Sequence, residues 1–457
     1  MSTIHSKAAH EVLKDKDKIT RHDQTFWGLR MGHDKMASQL PEWEDLREHA
    51  SQIKKHTITH LADYLEQFST QLESRGVIVH WAKDAEELNE TVYTILNDHK
   101  VKKMVKSKSM LTEECGLNAY LEQRGIDVVE TDLGERILQL MHKKPAHIVV
   151  PAVHITREEV GRCFEEKGIS KEKGNYDPTY LTHCARLSLR NEFIEAGAGL
   201  TGCNFGVAKT GDIVVCTNEG NADMSTSMPK LHIVTMGIEK LVPDYDCLAV
   251  FQRLLCRCGT GQPTTSYTSH FRQARPGAEM HVVLVDNGRS DILAHEDHWE
   301  TLKCIRCGAC MNTCPVYRRS TGYSYTYFIP GPIGINLGML KDSQKYSDNV
   351  SACTLCLSCD KVCPAKVNPG SQVYAWRQSL ESIGKADPLK KFMSEGMSVL
   401  FDHPILYQAA LRLAPPANYV PEVMTHYSHL NPWGLGHAKP IFAKESFHEL
   451  WKKGKIK

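Results

Sequence analysis

No apolar run in this 457-residue chain approaches the ~18–20 residues that a membrane-crossing helix needs. Neither sign of charge dominates. Lys and Arg number 55 against 54 Asp and Glu, and no basic stripe with interleaved aromatics marks a nucleic-acid face. The opening residues, Met1-Ser-Thr-Ile-His-Ser-Lys7, are polar and lack an apolar core, which predicts no signal peptide. No G-x-G-x-x-G follows a strand-like run, which removes the usual dinucleotide fingerprint. No P-loop is present, and no flavin site is evident. Paired cysteine spacing of the disulfide-scaffold kind is also missing. Eight of the 16 cysteines are scattered, and the other eight fall in two tight runs. That usage fits a reducing cytoplasm with metal-bound thiolates better than a secreted framework.

The two runs are Cys304-x2-Cys307-x2-Cys310-x3-Cys314-Pro315 and Cys353-x2-Cys356-x2-Cys359-x3-Cys363-Pro364. Each matches the bacterial ferredoxin spacing for a [4Fe–4S] cluster, in which the fourth cysteine serves the other cluster. The expected ligand sets are therefore Cys304, Cys307, Cys310 and Cys363 for one cluster, and Cys353, Cys356, Cys359 and Cys314 for the second. Structural zinc takes two separated ligand pairs rather than a run of four ending in Cys-Pro, so the runs predict an electron relay and not zinc.

Elsewhere the chain divides by its rhythm. Residues 1–75 read as helical. His56 and His60 sit four apart there, but lack the further ligands a zinc site needs. From 76 to 295, short apolar runs alternate with amphipathic helices, which predicts a mostly parallel sheet covered by helices. Expected strands include Ile126–Glu130, His147–Pro151, Ile213–Cys216, His232–Thr235, Thr264–Tyr267 and His281–Val285. A helix is expected over Leu111–Arg124 with Ser109 or Thr112 as cap, and Thr156 with Glu159 forms a capping box. Residues 296–385 carry the cysteine runs, with a turn-rich Ile329–Gly334 between them. Residues 386–457 read as a Pro- and aromatic-rich docking extension with one amphipathic helix, Ile405–Leu413.

A second polar constellation surrounds the Ile213–Cys216 strand. Gly206, Lys209 and Gly211 precede or open it, and Asn218, Glu219, Gly220 and Asn221 follow it. Ligands of open α/β sheets sit beyond strand carboxyl ends. Backbone amides at these glycines can approach an anion, Lys209 can neutralise it, and Glu219 can serve as base or polar anchor. The alternative is a tight turn whose glycines satisfy positive φ. The Thr131-Asp-Leu-Gly-Glu135 turn faces the same cleft or caps a helix. Cys256 and Cys258, together with Cys115, Cys163, Cys184, Cys203, Cys216 and Cys247, read as packing residues.

Together, the α/β region, Asn218–Asn221, Thr131–Glu135, the double cysteine runs and the late Ala443–Phe447 and Leu450-Trp451 segments resemble the lactate-utilization iron–sulfur protein B family. The resemblance spans nearly the whole chain. It implies a lactate-utilization domain similar to the ribose-isomerase and coenzyme-A-transferase-like group, followed by an α-helical two-cluster ferredoxin module. It also implies a cysteine-rich protein A and a small protein C as partners, and together the three would oxidise L-lactate to pyruvate. This chain would then pass electrons onward to a carrier or a quinone. The chain is expected to be cytoplasmic, with contact at the inner membrane face left open. The competing expectation is an isomerase- or transferase-like enzyme using Glu219, with structural or sensory clusters.

Overall fold

A computed structural model describes residues 4–107, 109–383, 388–421 and 439–456. Ten strands occur among them: β1 Ile78–Ala82, β2 Lys103–Ser107, β3 Asp127–Glu130, β4 Ala198–Thr201, β5 Phe205–Val207, β6 Asp212–Thr217, β7 Leu231–Gly237, β8 Leu241–Val242, β9 Tyr267–Phe271 and β10 Glu279–Val285. Six form a fully parallel sheet in the order β1-β10-β7-β4-β2-β3. Every residue of β4 and β7 is buried, as expected of a sheet covered on both faces. Helices fill the crossovers. The Ala85–Asp98 helix starts where the Asp84 side chain accepts the Glu87 N–H at 2.9 Å. Gly199 in β4 has no tolerable substitute, because a Cβ there would lie 1.7 Å from the Ser225 carbonyl of the helix packed on it.

A second, mixed sheet, β8-β5-β6-β9, stands beside the first. Its apolar face joins Leu46 and Ala50 of the N-terminal helices with Ile305, Cys307 and Val362 of the cysteine region in one core. The N-terminal helices therefore strap the cysteine module. Phe26 is fully buried against Tyr317, with ring centroids 5.3 Å apart. The Arg47 guanidinium donates to the Cys363 carbonyl at 3.1 Å and to the Asp360 carbonyl at 3.3 Å.

Several expected elements differ. His147–Pro151 is not a strand. The His147 Nδ1 accepts the Val149 and Val150 N–H groups at 3.0 and 3.1 Å, which curls the chain into turns. Leu111–Arg124 splits into Met110–Glu114 and Leu117–Glu122, because Gly116 takes a left-handed φ of 70°. The expected Thr264–Tyr267 strand runs instead over Tyr267–Phe271, after the helix Tyr245–Gly259 that carries Cys256 and Cys258. The turn-rich Ile329–Gly334 stretch opens the helix Gly331–Lys341. The tail contains Pro388–Asp402 as well as Pro404–Leu413, and Phe447–Lys452 opens with a Ser446–Glu449 capping box. Part of the expected docking extension, residues 422–438, lies outside the described residues.

Buried histidines make this fold acid-sensitive. His232 in β7 bonds to the Thr201 hydroxyl at 2.9 Å, and burial pushes its imidazole down to about 3. The folded state thus favours the neutral ring. This contribution is intact above an unfolded pKa of roughly 6.5 and is lost as pH falls towards the folded value, at about 1.4 kcal/mol per pH unit. Denaturant midpoints measured at pH 7, 6 and 5 should fall in that order, and His232→Gln should flatten the slope. An unchanged slope in the variant refutes the assignment.

Candidate functional site

The carboxyl ends of the parallel strands open onto a cavity of about 500 Å³. Residues just beyond β2, β3, β4, β7 and β10 line it: Ser109, Asp132, Asn204, Lys240 and Arg289 among them. The cavity therefore lies where ligands of open α/β sheets are expected. Asn218 is exposed at one end, whereas Glu239 and Arg289 are buried, so the cavity runs from a polar mouth to an ionic floor. Its apolar wall is the curled Ile148–Val153 segment. On the far side, Arg306 and Cys307 of the first cysteine run complete the lining. Gly259 makes this approach possible, since a Cβ there would sit 2.7 Å from the Cys307 carbonyl. The Asn312 amide also donates to the Gly259 carbonyl at 2.8 Å.

On the floor, Arg289 donates to Glu239 Oε2 at 2.6 Å and reaches Glu114 Oε2 at 3.1 Å. Burial alone would raise the Glu239 carboxyl. Arg289, followed by Lys240 and Arg306, overrides it and holds the group down to about 2. Ser109 and Thr235 are buried there, with their hydroxyl oxygens 2.9 Å apart.

In the cysteine module no cysteine is in a disulfide. Cys304, Cys307, Cys310 and Cys363 line one small apolar space together with Ile305, Ile333, Val367 and Pro369. Burial, followed by Cys304, Cys307 and Cys363, pushes the Cys310 thiol well up. Burial also lifts Cys314 up to about 11 against the pull of backbone N–H bonds, with Cys353 and Cys356 adding to the rise. Each run thus hands its fourth cysteine to the other run's neighbourhood. Backbone N–H groups of Arg306, Tyr317, Leu355 and Val367 donate to Cys304, Cys314, Cys353 and Cys363 sulfurs at 3.4, 3.5, 3.3 and 3.3 Å. Left-handed backbone at Arg306, Gly308, Leu355 and Leu357 turns each loop around its sulfurs. Soft thiolate donors converging with N–H···S support in a dry pocket fit an iron–sulfur cluster. Short helices Ala309–Thr313 and Ser358–Val362 bring the runs together, with Thr313 and Ser358 hydroxyls 2.5 Å apart. Cys307 and Cys359 are buried, whereas Cys356 is exposed.

The expected polar constellation divides in two. Asn218 and Glu219 line the cavity, but Gly206, Lys209, Gly211, Gly220 and Asn221 are not in its lining. Gly206 packs against Met236, Leu241 and Phe68. Gly211 takes a φ of 68° in the β5–β6 turn, where Lys209 is exposed, so that segment is a hairpin turn rather than an anion cradle. Asp132 both lines the cavity and caps its helix, accepting the Gly134 N–H at 2.9 Å. His56 pairs with the Tyr64 hydroxyl at 3.0 Å. Cys203, Cys216 and Cys256 also line the cavity, beyond the packing role expected of them. Lys240, Arg289 and Arg306 were not singled out in the sequence. Applying the strand-end rule to β7 would have pointed to Lys240.

Two family models match the chain: LUD domain over residues 65–292 and 4Fe-4S dicluster domain over residues 300–367. The C-terminal module is therefore an iron–sulfur module. A protein of Oceanobacillus iheyensis named lactate utilization protein B is 40% identical over 450 residues, covering 93% of this chain and 90% of that protein. One of Geobacillus thermodenitrificans with the same name is 42% identical over 389 residues, covering 83% and 81%. The uncharacterized electron transport protein YkgF of Escherichia coli is 38% identical over 384 residues, covering 82% and 80%. A LUD domain joined to a dicluster module, with relatives of this identity along nearly the full length, shows that the chain belongs to the lactate utilization protein B family.

Proposed function

We propose that this chain is the iron–sulfur electron-transfer subunit of a multi-protein complex that oxidises L-lactate to pyruvate. The observation that carries the reading is the course of the cysteines. Cys307 borders the strand-end cavity, and Cys356 of the other group reaches the surface. Two [4Fe–4S] clusters held by the crossed sets would supply one-electron uptake and release, matching the two electrons that a 2-hydroxy acid yields on oxidation. Ile305, Ile333 and Val367 keep water from the first group of sulfurs, and the N–H···S bonds favour the charged thiolates.

The partners are a cysteine-rich protein A and a small lactate-utilization protein C, with a carrier or quinone downstream. The tail supports docking. Its helices Pro388–Asp402 and Pro404–Leu413 leave Phe392 73%, Ile405 84% and Leu413 76% exposed, an apolar surface of the kind that interfaces cover. No helix among the described residues is long and apolar enough to cross a membrane.

The test is anaerobic. L-lactate added to the iron-loaded chain together with both partner proteins should bleach the visible cluster absorbance. Absence of bleaching in the complete set, with each protein folded and iron-loaded, overturns the reading.

A further inference from the structure

We propose that the strand-end cavity of this chain is itself a binding site for a small 2-hydroxy or 2-oxo carboxylate, seated on Lys240 and Arg306 beside Cys307. The inference rests on the proposed function for the choice of acid, whereas the cationic seat stands on the geometry alone.

The cavity's volume of about 500 Å³ is that of a ligand site. Its charges are not equivalent. Arg289 is saturated by Glu239 and Glu114. Asp132 is occupied as a helix cap, and Glu219 lies towards the mouth next to exposed Asn218. Lys240, by contrast, has no hydrogen bond or ion pair among the described residues. Arg306 Nη1 is buried with no hydrogen-bond partner among the described residues, whereas its backbone N–H donates to the Cys304 sulfur. A buried donor left unmade costs about 1–3 kcal/mol, and more on a charged group. Arg306, with its buried unpartnered nitrogen, and the half-buried Lys240 face one cavity and together form a seat for an anion. A carboxylate fits the arrangement better than a bulky anion. The floor hydroxyls of Ser109 and Thr235 can meet a 2-hydroxy or 2-oxo oxygen, and Ile148 and Val150 can cover a short alkyl group.

A second role competes for the same two cations. They can instead balance the thiolate charge of Cys304 and Cys307. The two roles part experimentally. With the iron-loaded full-length chain alone, under anaerobic conditions, calorimetric titration with L-lactate and with pyruvate should show saturable binding. Saturating acid should also shift the electron paramagnetic resonance signal of the reduced protein, because the acid lies beside Cys307. Lys240→Gln should weaken binding about tenfold or more, the scale of one lost charged contact of about 1.4 kcal/mol. Arg306→Gln should do the same if its iron content is normal. Lys209→Gln, in the exposed hairpin, should bind as the parent does.

Inorganic phosphate binding as tightly as either acid overturns the carboxylate assignment. Lys240→Gln that retains full affinity overturns the site. So does a Lys240→Gln effect confined to the reduction potential, with no acid binding in the parent. Binding by the chain alone without lactate-driven bleaching in the complete set would defeat the proposed function and leave this site standing. Bleaching without binding by the chain alone would do the reverse.

Discussion

Serine in place of Cys363 is expected to erase the same iron–sulfur signal as serine in place of Cys304. Serine in place of Cys314 is expected to erase the signal lost with Cys353. The physical ground is the crossing of the two runs. Cys363 shares one apolar space with Cys304, Cys307 and Cys310, and Cys314 feels Cys353 and Cys356. On the two-cluster reading, each single variant is expected to fall from about eight iron atoms per chain towards about four, since a serine oxygen is a harder donor than the thiolate that holds a cubane iron. Paramagnetic resonance of the reduced variants, with iron determination on the same samples, reads the pairing directly. If Cys363→Ser matches Cys353→Ser instead, each run holds its own cluster and the crossed pairing is wrong. Lactate-driven electron flow should vanish in Cys310→Ser while partner binding persists, because the exposed tail helices proposed to dock the partners, Pro388–Asp402 and Pro404–Leu413, lie elsewhere in the chain. Undiminished lactate oxidation by that variant would sink the relay.

The largest stability loss outside the cysteine module is expected for Arg289→Met. Arg289 is 6% exposed and is the shared counter-ion of Glu239, 4% exposed, and Glu114. It ties the end of β7 to the helix Met110–Glu114 and to its own turn after β10. Removing one member of a buried ion group leaves uncompensated charge, at about 3–5 kcal/mol. The sign of the pH dependence follows. In the parent, the Glu239 carboxyl is held down to about 2, so its contribution is present above the ordinary carboxylate range and is lost as pH falls through the folded value. Without Arg289 the largest opposing charge is gone, and burial raises the carboxyl against Lys240 and Arg306 alone. The deficit of the variant is then greatest near neutrality and shrinks as acid protonates Glu239. Denaturant unfolding of parent and variant at pH 7 and pH 4.5 checks this. A loss below about 1 kcal/mol at pH 7, within the range of an exposed pair, means the triad is not the floor's main electrostatic tie. Adding Glu239→Gln and Glu114→Gln to the variant should restore part of the loss, because the orphaned charges go with them.

Much of the fold was legible because its signals are local. Asp84, Thr156 and Asp177 cap the helices where polar side chains precede apolar periodicity. The strands at Asp127–Glu130, Asp212–Thr217, Leu231–Gly237 and Glu279–Val285 are short apolar runs that read as buried parallel strands. What failed locally failed for identifiable reasons. Ile148, Val149 and Val150 have strand propensity, but the His147 imidazole takes two of their N–H groups. Ala198–Thr201 lacks the apolar signature because Gly199 must let a helix approach the sheet. The hairpin around Lys209 imitates an anion loop, since glycine serves positive φ in a turn as readily as backbone approach to a ligand.

The iron–sulfur module was determined by the sequence itself. Three cysteines at x2 spacing place their sulfurs within reach of one another whatever surrounds them, and the fourth, before its proline, is turned towards the other run. The strand-end cavity was decided only in three dimensions. Lys240 follows β7, Arg289 follows β10, Ser109 follows β2, and Arg306 and Cys307 belong to the cysteine loop. No spacing relates them. They meet because a parallel sheet gathers all its carboxyl ends on one side, and because the core shared by the second sheet, the N-terminal helices and the first cysteine run holds that loop over those ends.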